Sequence, residues 1–141
     1  MPELDIGKLK LRISEIQEAI KEINQYLTIP EEDFWKDHRN ILAIEQLLLR
    51  AIEATGGICL HLVAKKLQKG VESIAQCFEI LGEHNIIDKE LTKSLIKMAR
   101  FRNLLIHKYW DIDEKRVYQY AKENLSDFDN FISTIKKSFT F

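Results

Sequence analysis

A chain of 141 residues with 45% hydrophobic and 30% charged side chains can bury one core and is too short for two domains of ordinary size. Only 5 Gly and 2 Pro interrupt it, which favours long helices, and a formal net charge of −1 argues against a protein that coats nucleic acid through bulk electrostatics. No stretch approaches the roughly 18 uninterrupted apolar residues of a membrane span, and the opening MPELDIGKLK lacks a basic region followed by an apolar run, so a cytoplasmic location without membrane contact is expected.

In residues 4–27 the apolar side chains Leu9, Ile13, Ile16, Ile20, Ile23 and Leu27 recur at spacings of three and four, which predicts an amphipathic first helix. Pro30 closes it, and Glu31, Glu32 and Asp33 supply first-turn chemistry for a second helix over residues 31–67. The pair Gly56-Gly57 inside that helix marks either a kink or a close backbone approach. A third helix is predicted over residues 71–82, with Gly82 as its stop, and a fourth from a cap at Asp88 through KELTKSLIKMARFRNLLIH. A fifth begins near Asp113 and reaches the 130s through Val117, Tyr120, Leu125, Phe128, Phe131, Ile132 and Ile135. The expected fold is all-α, an up-and-down bundle of about five helices forming a single domain over residues 1–141.

The fourth helix separates into two faces when its residues are set at 100° intervals. Leu91, Leu95, Met98 and Leu105 form a core stripe flanked by Ala99, Phe101 and Ile106, and Arg102 stands in its middle. An Arg there is costly unless it serves a site or packs its stem inward and pairs with a Glu of another helix. The opposite face carries Lys89, Lys93, Lys97, Arg100 and, if the helix continues, His107, with Asn103 beside them. From Asp88 to Lys108 six cations (Lys89, Lys93, Lys97, Arg100, Arg102, Lys108) stand against Asp88 and Glu90, a local balance of +4. A Lys run is most often a solvated face, but a titratable imidazole beside fixed positive charge suits phosphodiester chemistry.

The segment FRNLLIHKYWDID resembles the signature of HEPN proteins, an Arg followed by a polar residue and a His four to six positions on. In its extended form, Arg-x4-His-x-Tyr, it is similar to that of the HepT toxins, with Arg102, Asn103, His107 and Tyr109 matching position by position. Arg100 also fits the looser spacing, and Arg102 is preferred because Asn103 follows it. The resemblance implies a metal-independent endoribonuclease, without cofactor, that acts as a homodimer with the two fourth helices facing each other across an RNA-binding cleft. It also implies the toxin role in a toxin-antitoxin pair, with a minimal nucleotidyltransferase antitoxin that silences the enzyme by transferring AMP to Tyr109. Lys93, Lys97, Arg100 and Lys108 are the expected RNA-binding cations.

Metal-free cleavage needs a base for the 2′-hydroxyl proton, an acid for the leaving 5′-oxygen and a cation for the charged phosphorane. His107 is assigned the proton transfers, Arg102 the phosphate clamp, and Asn103 the orientation of one or the other. On an unbroken helix Arg102 and His107 point about 140° apart. Either the helix unwinds after Ile106, or the Arg of one protomer meets the His of its partner.

Other constellations carry less. Cys59, His61, Cys77 and His84 have zinc-ligand types at spacings that fit no common closed site, so no metal is expected and the two thiols are read as buried and reduced. His38 and His84 are read as surface or satisfied histidines, and Arg39-Asn40 repeats the Arg-Asn start with no His at the needed distance. The competing reading from another class is a catalytically silent helical dimer that binds RNA or nucleotide and a nucleotidyltransferase partner.

Overall fold

The computed structural model describes residues 3–107 and 113–141, which hold helical segments and no strand. They are α1 (Ile6–Leu27), the single turn α2 (Glu31–Phe34), α3 (Arg39–Leu62) with a π-helical turn at Val63–Leu67, α4 (Ile74–Glu83), α5 (Lys89–Ile106), α6 (Glu114–Asn124) and α7 (Ser126–Phe139). The helical bundle is as expected, but two of the five anticipated helices are each divided.

The first division falls between Phe34 and Arg39. The Asp37 carboxylate accepts the Arg39 backbone N–H at 3.0 Å, and Asn40 Nδ2 donates to the Phe34 carbonyl at 2.9 Å. These side-chain bonds replace the regular helical ladder, so α2 ends and α3 starts afresh. Phe34 and Trp35 then pack with Tyr118 of α6, at ring separations of 4.7 and 5.4 Å. The second division, at Leu125, sets α7 off from α6 and turns Phe128, Phe131, Ile132 and Ile135 into the core.

α3 is the hub, packed against α1 along its length and against α4, α5 and α6. Residues Arg39–Leu67 together are long and apolar enough to cross a membrane, yet 61% of that apolar window is buried inside the bundle, as in the core helix of a packed domain. Gly56-Gly57 does not interrupt α3, whose helix runs through both. A Cβ on Gly56 would stand 2.7 Å from Ile74 Cδ1, and one on Gly57 would stand 2.9 Å from Arg12 Nε. The pair therefore serves close approach, letting α4 and the Arg12 side chain of α1 lie directly on α3.

Capping fixes the remaining ends. Asp5 accepts from Lys8 N at the start of α1, and the Asp5 backbone N–H donates to His61 Nε2 at 3.0 Å, tying that start to the end of α3. Ser73 caps α4 by accepting from Gln76 N, while Gln76 Oε1 accepts from Glu72 N at 2.7 Å, a reciprocal exchange close to a capping box. α4 runs one residue past Gly82, and Asn85, at φ 58°, takes the left-handed position after it. What Gly82 supplies is room for the Thr92 side chain of α5. Asp88 caps α5 as expected, accepting from Leu91 N at 2.7 Å.

Candidate functional site

The last two turns of α5 carry the motif. Leu91, Leu95, Met98, Ala99, Phe101 and Leu105 are buried, as the core stripe predicts, whereas Ile106, expected to flank it, is 41% exposed. Ile106 ends the helix, and His107 leaves it with φ −89° and ψ 64°, its backbone N–H donating to the Asn103 carbonyl at 3.0 Å.

The Arg102 side chain is 28% exposed. Nε donates to Glu53 Oε1 of α3, an ion pair between helices, and Nη1 donates to Asn103 Oδ1 at 3.4 Å. Asn103 and His107 are exposed. The Glu53 contact engages one edge of the guanidinium. Arg102 also lines a cavity of about 450 Å3, together with Asn103 and Arg100.

Glu53 is the participant that sequence reasoning did not name. Its signal was indirect: an Arg on an apolar stripe asks for a carboxylate from a neighbouring helix, and Glu53 lies on the α3 face of Gly56, Gly57 and Leu60 at spacings of three, four and seven. That is the face the glycines open to neighbours.

The basic face of α5 is not one groove. Lys97 and Arg100 line a depression of about 440 Å3 between α5 and α6, together with Arg116 and Tyr120. Burial, and then the nearby Asp127 carboxylate, push the Tyr120 phenol upward, so this tyrosine stays protonated. Lys93 lies apart, in a depression shared with Lys89, Glu79 and Glu83. Arg100 borders both the Arg102 cavity and the Lys97 depression. Lys108 and Tyr109 lie outside the described residues.

The other histidines and the two cysteines have structural partners. His38 Nε2 meets Glu114 at 2.6 Å, and His84 Nδ1 meets the Ile80 carbonyl at 3.0 Å. Cys59 and Cys77 are both buried, and burial followed by contact with Cys77 pushes the Cys59 thiol far up, which leaves it unreactive. Burial, followed by Lys8 and Lys65, holds His61 below the usual imidazole range, in keeping with its acceptor role toward Asp5.

The chain as a whole is similar to known proteins. The family described as "Ribonuclease HepT-like" matches residues 16–135. The mRNA nuclease HepT of Shewanella oneidensis is 29% identical over 132 residues, covering 93% of this chain and 92% of its own. The tRNA nuclease HepT of Aphanizomenon flos-aquae is 24% identical over 127 residues, 90% and 86% of the two chains. Among solved structures, a tri-AMPylated Shewanella oneidensis HEPN toxin in complex with its MNT antitoxin superposes with a TM-score of 0.85 at 27% identity, covering 92% of this chain and 97% of that one. With a helical fold of this likeness and a family match across most of its length, the chain belongs to the HepT-like ribonuclease family.

Proposed function

We propose that this chain is the toxin of a toxin-antitoxin pair and cuts RNA without a metal ion through Arg102, Asn103 and His107. The observation that carries the reading is Arg102 itself. It is anchored on Glu53 across the bundle and lines a cavity, one turn before His107 leaves the end of α5. A purely structural Arg would need its carboxylate but not the cavity.

In the proposed reaction an RNA 2′-oxygen attacks the adjacent phosphorus, the P–O5′ bond breaks and a 2′,3′-cyclic phosphate forms. His107 acts in the proton transfers, taking the 2′-hydroxyl proton or returning one to the departing 5′-oxygen. Arg102 faces the phosphorane with its Nη edge, where a charge-assisted bidentate pair is strongest as negative charge builds up. Glu53 is a positioning residue: by holding Nε it aims the guanidinium. Asn103, bonded to Arg102, supports the same orientation. Lys97 and Arg100 lead the RNA backbone toward the site, with Lys93 and Lys108 as outer contacts. Two protomers facing each other through α5 would form the cleft and allow the Arg and His to come from either chain.

Regulation is proposed at Tyr109, two residues after His107 in the chain. A nucleotidyltransferase antitoxin would join the Tyr109 oxygen to the α-phosphorus of ATP and release pyrophosphate. The AMP would add bulk and negative charge beside the cationic site, in competition with the RNA phosphate. The family match and the AMPylated relative support this reading. The test combines RNA cleavage with intact mass. Unmodified chain should cleave RNA, chain heavier by AMP should not, and Tyr109→Phe should escape silencing by the antitoxin and ATP. Unmodified chain that leaves RNA intact would overturn the proposal.

A further inference from the structure

The cavity beside Arg102 has a composition that phosphate binding does not explain. Its walls are aliphatic, from Leu60 of α3, Ile74 of α4 and Ala99 of α5, while Arg100, Arg102 and Asn103 form its polar side. Leu60 is 40% exposed, one of four large apolar side chains so exposed among the described residues. An apolar wall that stays open to solvent next to a phosphate clamp is half of a binding site. The wall is also built rather than left over. Ile74 lies flat on α3 because Gly56 has no Cβ, and the Ser73 cap fixes the start of α4 where Ile74 stands.

We propose that this cavity receives the unpaired nucleobase of a nucleotide flanking the scissile phosphate, a subsite that deepens the nuclease reading and rests on it. The volume of about 450 Å3 lies within the range of sites that hold small organic ligands, roughly 300–1,000 Å3. A base has two apolar π-faces and a polar edge. Aliphatic walls take the faces, and Arg guanidinium planes stack on bases splayed out of a single strand. Glu72 and Ser73, which also line the cavity, bring a carboxylate and a hydroxyl toward the base edge. Arg102 then meets the phosphate on the same nucleotide, so one nucleotide spans both halves of the site. A base paired in a duplex cannot enter, so the subsite selects single strands.

The test is titration of the full chain, with its Leu, Ile and Ala methyl groups labelled for NMR, using adenosine 3′-monophosphate beside inorganic phosphate. The nucleotide should shift the Leu60, Ile74 and Ala99 methyls, and phosphate alone should leave them unmoved. Ala75→Trp, which places an indole in the cavity from α4, should weaken nucleotide binding at least about tenfold, an effect of about 1.4 kcal/mol. Should that variant fail to fold, Leu60→Asn, at an exposed helical position, should give the same loss. Methyls that do not move, or that move equally with phosphate, overturn the proposal, as does a folded Ala75→Trp that binds like wild type. RNA left uncut while these methyls still shift would strike the nuclease reading alone. RNA cut normally without the shifts would strike the subsite alone.

Discussion

The chain contains the dipeptide Arg-Asn twice, and the two copies do different work. Arg39-Asn40 opens α3. Arg39 is 87% exposed along its side chain and pairs with Asp37, two residues away, while Asn40 closes the end of α2 through the Phe34 carbonyl. Arg102-Asn103 stands near the end of α5. Arg102 is 28% exposed and reaches Glu53, 49 residues away in the chain, at the edge of a cavity. The first pair is satisfied by its immediate neighbours and fixes local backbone. The second depends on the tertiary fold, and its guanidinium is only partly occupied by its anchor. The same two residue types thus serve a local cap or an anchor between helices according to what the fold sets against them.

Substitution at the two arginines should separate them most widely. Arg102→Ala is expected to lower kcat/KM for RNA on the order of 10²–10³-fold, the cost of removing a charged donor from a transition state, whereas Arg39→Ala should stay within about twofold and leave the melting temperature nearly unchanged, as the loss of an exposed pair does. Equal losses would erase the distinction. Next in size is the anchor. Glu53→Ala should reduce kcat about tenfold to a hundredfold with the melting temperature nearly kept, and Glu53→Gln, which retains an acceptor for Nε, should recover much of it. Loss confined to stability would make Glu53 merely structural. The smallest effect belongs to the other copy. Asn40→Ala should cost about 1 kcal/mol and lower Tm by about 4 °C while leaving cleavage unchanged, measurable by thermal unfolding beside an RNase assay.

Much of the bundle was legible because burial leaves a helical period. The stripes of α1 and α5 and the Asp88 cap stand where that period and simple capping chemistry put them. The breaks near residues 35–38 and at Leu125 were not legible, since they interrupt apolar patterns without a Gly or Pro. The first is made by the side chains of Asp37 and Asn40, which bond backbone instead of solvent. Gly56-Gly57 left two meanings open, and only the positions of Ile74 and Arg12 decide between them. Ile106 carried the right residue type for the core but lies on the last turn, beyond the packed surface. At the site, Arg102 stands out in α5 as a charge on an apolar stripe and His107 as an imidazole beside a basic face, whereas Asn103 enters through the resemblance to the HEPN signature. Glu53 could not, because an ion pair between α3 and α5 has no local period. The division of the basic face was hidden for the same reason: Lys93 and Lys97 share one side of α5, but Glu79 and Glu83 of α4 adjoin the first and Arg116 of α6 the second.

His107 is proposed to carry proton transfer in a metal-free cleavage assisted by Arg102. The most direct measurement is incubation of RNA in EDTA with unmodified chain, wild type beside His107→Ala, followed by analysis of fragment ends. Wild type should yield fragments ending in 2′,3′-cyclic phosphate and the variant none. Full activity in His107→Ala, or cleavage that appears only when a divalent ion is restored, would contradict it.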